Sequence, residues 1–274
     1  MKYIKHPFEF FLAQVLFAKK MSEILNISFE SSLIEYTDLY VVFTGSNWSE
    51  KEDKGEYLDP WKTFIELNSQ VNDMYEFAKR MYEEYIKQAY AYVEVEKEDP
   101  YLVKDNEFRF GCFTIDYSEY NRSREQVRLH FTPLRKGLFS DAAFVGEGDL
   151  SSNNFPQRKI EFREMVTFIK NNPDRFKEAK FLVSSTWLQN IPNYQKLFPP
   201  KYSLDQNREK RDDSFLGLWG QFEKWNFEGN VLNLKKFEEK LNNSRTKEEV
   251  VDSFPNPVYK IRVPLMELYE YYNI

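Results

Sequence analysis

Three runs of sequence between Glu125 and Tyr202 decide the fold: EQVRLHFTPLRKG at 125–137, RKIEFREMVTFIKNNP at 158–173 and FLVSSTWLQNIPNYQKLFPPKY at 181–202. The first run alternates apolar and polar residues, as a strand with one buried face does. The second run has apolar residues at helical spacing and ends at Pro173. The third run begins as an apolar strand and continues into a short helix opened by Pro192. This order predicts a parallel strand–helix–strand crossover.

The rest of the chain indicates a mixed α+β protein. Helical periodicity predicts helices at 7–25, 29–43 and 59–90, so that the N-terminal third is helical. Strand periodicity at 107–117 predicts an antiparallel partner for 125–132, and 257–263 reads as a last strand. We therefore expect a small central sheet of about four or more strands flanked by helices. We expect residues 1–95 to form a helical region and residues 96–274 an α/β core, which belong either to one domain or to two.

Composition excludes several classes of function. The 274 residues carry a net charge of −6 with both signs interspersed, which argues against nucleic acid or an anionic membrane surface as partner. The apolar run FFLAQVLFA contains Gln14 and is too short to span a bilayer, and no cleavage site follows it, so we expect a cytoplasmic protein. With a single Cys, Cys112, and only two His, no metal site is expected. Cys112 itself reads as a buried, inert thiol, and the alternative is a catalytic thiol with His130 as its partner.

His130 is the strongest candidate for chemistry. It follows Leu129 on the polar side of the predicted strand, just before a long loop with several glycines. A neutral imidazole can accept or donate a proton near pH 7, so we assign it the role of general base. The alternative is a structural histidine that is hydrogen-bonded on the sheet.

Cations and hydroxyls near the same strand ends are further candidates. Arg128 shares the polar side of the strand with His130, and Arg135, Lys136 and Gly137 follow it; together they could hold a phosphate or a carboxylate. Alternatively, these cations solvate a loop or pair with Glu161 and Glu164. A second group of candidates lies at the end of the next strand and comprises Ser184, Ser185, Thr186 and Trp187. Ser185 could act as a nucleophile with His130, and Trp187 could wall a pocket.

The order of elements from Glu107 to Tyr202 resembles the core of the GNAT-type N-acyltransferases. The resemblance implies that the loop and the helix start after 125–132 hold the pyrophosphate of coenzyme A. It also implies that the strand Phe181–Trp187 splays away from its neighbour to admit the pantetheine arm. A tyrosine in the following helix often protonates the leaving thiolate in that family, and Tyr194 in NYQKLF has a similar place.

The segment TWLQNIPNYQKLFPPKY at 186–202 also resembles a block of an uncharacterised bacterial protein family, S-W-L-x-N-x-x-x-Y-x-x-L-F-P. This likeness implies that Trp187, Asn190, Tyr194 and Phe198 belong to one structural unit. It implies no activity.

Three hypotheses of function follow. The first is an acyltransferase-like enzyme that uses a coenzyme A-type donor or another acyl thioester and a small molecule or amine. The second is a non-catalytic binding or regulatory module that captures a small molecule or a protein in an aromatic groove, with Trp187, Trp219 and the 138–157 loop. The third is a serine hydrolase that uses Ser184 or Ser185.

Overall fold

The computed structural model of the chain describes residues 8–44, 59–92, 106–131, 148–211, 218, 219, 221 and 234–274. Its mixed α+β architecture confirms the predicted fold class, with a six-stranded sheet, flanking helices and a helical N-terminal region. The described residues divide into two compact units. The first unit contains 8–44, 59–92, 218, 219, 221 and 234–255, and the second contains 106–131, 148–211 and 256–274.

The described α-helices are, in chain order, α1 (Phe8–Leu25), α2 (Phe29–Tyr36), α3 (Leu39–Thr44), α4 (Asp59–Asn68), α5 (Met74–Tyr92), α6 (Glu119–Arg122), α7 (Phe155–Asn171), α8 (Pro192–Gln195), α9 (Leu234–Asn243), α10 (Lys247–Val251) and α11 (Leu265–Tyr272). The described strands are β1 (Glu107–Phe110), β2 (Phe113–Asp116), β3 (Gln126–Phe131), β4 (Phe181–Thr186), β5 (Glu209–Arg211) and β6 (Val258–Pro264). Short 3₁₀ helices follow β4 at Trp187–Asn190 and precede β5 at Pro200–Ser203 and Asp205–Asn207.

Two of the predicted N-terminal helices are each broken into a pair. The predicted helix 29–43 is α2 and α3, because the Thr37 hydroxyl accepts from Leu39 N at 3.2 Å and the Gln14 side chain accepts from Asp38 N at 2.6 Å. The predicted helix 59–90 is α4 and α5, and Asp73 caps the second through Tyr75 N at 2.9 Å. Apolar spacing continues across both breaks, so periodicity alone does not reveal these caps.

Aromatic packing forms the core of the first unit. The Trp219 ring is fully buried and lies edge-on to Phe17 and Phe254, with centroid distances of 5.1 and 4.8 Å. Its indole N–H donates to the Tyr36 carbonyl at 3.1 Å. Trp219 is therefore a core residue, because its ring is buried against other aromatic rings and its indole N–H has a hydrogen-bond acceptor.

The sheet of the second unit has the strand order β1-β2-β3-β4-β6-β5. The β3–β4 pair is parallel, as predicted from the crossover through α7, and the other pairs are antiparallel. The last strand, β6, lies between β4 and β5. Sequence reasoning missed β5, because Glu209-Lys210-Arg211 is wholly charged and pairs at the sheet edge, where no apolar pattern is needed.

The prediction of a single strand at 107–117 is wrong. It is the hairpin β1–β2, which reverses at Gly111 and Cys112 so that Phe110 pairs with Phe113. Gly111 has φ +56, a conformation that residues with a side chain rarely adopt. The antiparallel partner predicted for 125–132 is therefore β2, which places Thr114 opposite His130.

The sheet has one face covered by helices and one polar face. On the covered face, the buried ring of Phe162 from α7 contacts Phe113, Phe198 and Tyr272 at centroid distances of 5.2, 5.2 and 5.7 Å. Fully burying such a ring stabilises the fold by roughly 1.5–3 kcal/mol. Cross-strand register puts Arg128 and His130 on the opposite face, which we call the polar face.

One end of the parallel pair is tied by backbone hydrogen bonds. The Glu125 carbonyl accepts from Lys180 N at 2.8 Å and from Phe181 N at 3.1 Å. The Lys180 carbonyl in turn accepts from Leu265 N at 2.9 Å. The starts of β3 and β4 and the end of β6 are thereby joined.

Candidate functional site

The parallel strands β3 and β4 are paired along only part of their length. Their ladder runs from Gln126 opposite Phe181 to Leu129 opposite Ser184, and each strand continues for two more residues. Beyond that point, β3 pairs only with β2 and β4 only with β6. We call these last residues, His130 and Phe131 on β3 and Ser185 and Thr186 on β4, the β3–β4 fork. It lies at the carboxyl ends of parallel strands, where α/β sheets place their sites.

Tyr194 lies beside the fork on the helix-covered face. Its hydroxyl is hydrogen-bonded to Ser184 Oγ at 3.0 Å, and its ring lies edge-on to Phe131 at a centroid distance of 6.0 Å. The side chain is fully buried, and burial raises the pKa of Tyr194, an effect that the Ser184 hydrogen bond opposes. The phenol therefore stays protonated at physiological pH and can donate to an acceptor in the fork.

The fork residue His130 has its side chain on the opposite, polar face of the sheet. Its side chain is exposed, and within the described residues it forms no hydrogen bond or ion pair. Surrounding protein atoms displace part of its hydration shell, and this desolvation, followed by the positive charge of Arg128, lowers the pKa of His130 from 6.5 to about 4; Asp116 opposes the shift. His130 is therefore neutral at pH 7, with a free lone pair, although it is a weaker base than an ordinary histidine.

We expect His130 to titrate with a midpoint near pH 4, and Arg128→Met to raise that midpoint because it removes a repelling charge. The imidazole resonances measured against pH test this, since the chain has only two histidines and His130→Gln assigns the signal. Arg163→Met, an exposed arginine on α7, is the matched control. A wild-type midpoint near 6.5 contradicts the expectation.

The same lowered pKa has a consequence for stability. Between pH 6.5 and pH 4 the unfolded chain binds a proton at His130 that the folded chain does not bind. The contribution of this residue to the free energy of unfolding is therefore complete above pH 6.5 and is lost as the pH falls towards 4.

A buried charged cluster, which sequence reasoning missed, lies at the start of α7. The guanidinium of Arg158, 4% exposed, contacts Glu161 Oε1 at 2.9 Å, Asp149 Oδ1 at 3.1 Å and Cys112 Sγ at 2.6 Å. Glu161 Oε2 also accepts from Cys112 N at 3.1 Å. A Cβ on Gly111 would stand 2.0 Å from the Glu161 carboxyl carbon. The i, i+3 spacing of Arg158 and Glu161 on a helix could have indicated their ion pair. The contact with Cys112 could not be read in this way, because it joins residues far apart in sequence.

The other predicted site residues have different surroundings. Ser185 is partly exposed on the polar face, and within the described residues no hydrogen bond joins its hydroxyl to His130. Trp187 is 4% exposed. Arg128 is exposed on the polar face opposite Asp116, whereas Arg135, Lys136 and Gly137 lie outside the described residues. The first half of the predicted 138–157 loop, residues 138–147, also lies outside them, whereas the second half is described and includes the start of α7 at Phe155.

The Trp–Asn–Tyr–Phe block packs α8 against the sheet. Asn190 Nδ2 donates to the Trp187 carbonyl at 2.7 Å and to the Pro257 carbonyl at 2.8 Å, just before β6. Tyr194 and Phe198 are buried and in ring contact at 5.6 Å. The block thereby fixes the position of the Tyr194 hydroxyl relative to β4.

Two kinds of feature are absent from the described residues. These residues contain no group of three or more His, Cys, Asp and Glu side chains arranged to hold a metal ion. None of the described helices combines the length and apolarity that crossing a membrane requires.

Comparison of the chain with models of protein families, with curated proteins and with solved structures gives no match.

Proposed function

We propose that the sheet-containing unit is the core of an acyltransferase-like enzyme, which transfers an acyl group from a coenzyme A-type thioester to a small-molecule amine. The observation that carries this proposal is the β3–β4 fork. The resemblance to GNAT-type N-acyltransferases implies that these strands separate to admit the pantetheine arm. Tyr194 lies on the helix-covered side of the fork and His130 on the polar side.

The reaction requires one base and one acid. The amine nitrogen attacks the thioester carbonyl carbon, a C–N bond forms, and the C–S bond breaks with the electron pair on sulfur. The proton lost by the amine passes to neutral His130, and the thiolate takes a proton from Tyr194. Return of the His130 proton to Tyr194 through solvent restores both groups, and the products are an amide and a thiol.

The described residues suit one part of a coenzyme A-type donor, the pantetheine arm, but not its pyrophosphate. The fork suits the narrow pantetheine arm, because the ladder hydrogen bonds between β3 and β4 end before it. Arg158, at the start of α7, does not suit the pyrophosphate, because Asp149 and Glu161 already neutralise its charge. Arg135, Lys136 and Gly137 would have to hold that group, as the sequence predicts, and no step of the reaction depends on it.

Binding of acetyl-coenzyme A tests the proposal. At about 100 times its dissociation constant, a ligand of the folded state raises the free energy of unfolding by roughly 2.7 kcal/mol. We expect this stabilisation in thermal unfolding of the wild type and of Ser185→Ala, and its loss in Ser185→Phe, which fills the fork. Adenosine diphosphate, which lacks pantetheine, is the ligand control. No stabilisation by acetyl-coenzyme A, or an equal effect of adenosine diphosphate, contradicts the proposal.

The observed surroundings favour this function over the two alternatives. Trp187 and Trp219, proposed for an aromatic groove, are both buried. Ser184 is engaged with Tyr194, and Ser185 has no hydrogen-bonded base within the described residues, whereas a serine nucleophile needs one.

A further inference from the structure

The polar face of the three central strands concentrates positive charge. Cross-strand register defines its positions as Gln126, Arg128 and His130 on β3, Phe181, Val183 and Ser185 on β4, and Val258, Lys260, Arg262 and Pro264 on β6. Three of these residues are cations and none is a carboxylate, and the neighbouring strands add Asp116 opposite Arg128 and Glu209 opposite Lys260 on the same face. The local excess of positive charge on these three strands favours an anion beside the fork.

Among these three cations, Arg128 has the fewest contacts that would offset its positive charge. Arg262 lies over the Phe181 ring at 3.6 Å and donates to the Arg124 carbonyl at 3.3 Å, while Lys260 is 3.6 Å from Glu209. Arg128 is exposed, and within the described residues its side chain has no hydrogen bond or ion pair.

The carboxylate opposite Arg128 is oriented by two other donors. Asp116 accepts from Ser118 N at 2.7 Å through one oxygen and from Asn121 Nδ2 at 2.7 Å through the other. The turn that contains α6 therefore orients this carboxylate, and within the described residues no hydrogen bond or ion pair joins it to Arg128, so the N–H donors of the guanidinium can bind a ligand.

Arg128 is two residues from His130 on the same face of one strand, which separates their Cα atoms by roughly 7 Å. Resting on the proposed acyl transfer, we propose that Arg128 binds an oxyanion on the acceptor, so that the acceptor is a small amine carrying a carboxylate or a phosphate a few atoms from its nitrogen. The guanidinium holds the oxyanion through paired N–H donors, and the amine reaches His130 at the fork. The acceptor thus approaches His130 from the polar face.

Acceptor pairs that differ in the anion test this selectivity. With acetyl-coenzyme A as donor, thiol release is measured with β-alanine against propylamine and with O-phosphoethanolamine against ethanolamine, at constant ionic strength. A charge-assisted hydrogen bond is worth enough to favour the anionic member of a pair by about 10-fold or more in kcat/KM. The pair with the larger preference identifies carboxylate or phosphate as the natural group.

Arg128→Met should reduce that preference to about 2-fold or less through loss on the anionic acceptor alone, while Arg163→Met keeps it in full. A second measurement is independent of turnover. Inorganic phosphate and acetate are titrated against the wild type while the His130 resonance is followed. We expect a saturable change that disappears in Arg128→Met and persists in Arg163→Met.

The outcomes separate this inference from the function on which it rests. A His130 signal that does not respond to either anion, or that responds equally in Arg128→Met, overturns the anion site. A response without any acyl transfer supports the anion site and contradicts the acyltransferase. Transfer to charged and neutral amines with equal kcat/KM overturns the selection of the acceptor.

Discussion

Replacing Arg158 with methionine should lower the free energy of unfolding by about 3–5 kcal/mol, because it leaves buried charge without a counterion. Glu161 has a side chain only 8% exposed and relies on Arg158 Nη2 for its charge partner. Asp149, 23% exposed, keeps some contact with water and adds less to the cost. Urea unfolding measured by circular dichroism gives the change directly, with an unchanged slope as the sign that the folded state is intact.

Two further variants identify the cause of that loss. Glu161→Gln removes the buried charge and retains an oxygen for Cys112 N, so the double variant with Arg158→Met should be more stable than Arg158→Met alone. The double-mutant cycle of the two changes should show a coupling energy of roughly 0.5–3 kcal/mol. Arg163→Met, an exposed change on the same helix, should stay within about 0.5 kcal/mol of the wild type. A cost for Arg158→Met below about 1 kcal/mol would mean that the cluster is not a stabilising unit.

Replacing Tyr194 with phenylalanine should reduce kcat for acyl transfer roughly 100- to 10,000-fold, the usual contribution of a positioned acid. The change retains the buried ring that contacts Phe131 and Phe198 and removes only the hydroxyl. KM for the thioester should not change, because the hydroxyl protonates the sulfur as it leaves in the transition state and does not bind the donor in the ground state. Steady-state kinetics with acetyl-coenzyme A and the best acceptor provide both constants.

Ser184→Ala is the matched control for Tyr194→Phe. It deletes the same hydrogen bond from the other side and keeps the phenol, so its stability loss of about 1 kcal/mol should equal that of Tyr194→Phe while kcat stays within about tenfold of the wild type. Equal loss of kcat in both variants would assign the effect to the hydrogen bond and not to the acid. Full kcat in Tyr194→Phe removes this residue from the reaction.

The fold class and the central crossover could be predicted because they depend on local pattern. Alternation at 125–132, helical spacing after 158 and the apolar run at 181–187 each reflect burial on one face, and the parallel pairing follows from chain connectivity. The β1–β2 hairpin was missed for the opposite reason. A turn at Gly111 depends on one residue, while its flanking phenylalanines continue the same alternation on both sides.

The residues of the candidate site could be predicted from the sequence, but their arrangement in space could not. His130, Ser185 and Tyr194 were identified from residue type and place in the chain, and whether they act in chemistry stays a prediction. Their division between two faces of the sheet follows from strand register, which a single sequence does not specify. The Arg158 cluster could not be predicted, since it depends on the packing of the β1–β2 turn against α7.

The double hydrogen bond at Glu125 gives the parallel pair a fixed point. The amides of Lys180 and Phe181 hold the starts of β3 and β4 on one carbonyl, whereas the other ends of the strands share no ladder bond. The two strands are thus held together from Glu125 as far as the pair Leu129–Ser184. Only the last two residues of each strand need to bend apart to admit a ligand, so the β3–β4 ladder stays intact and the sheet keeps the pairing that defines its topology.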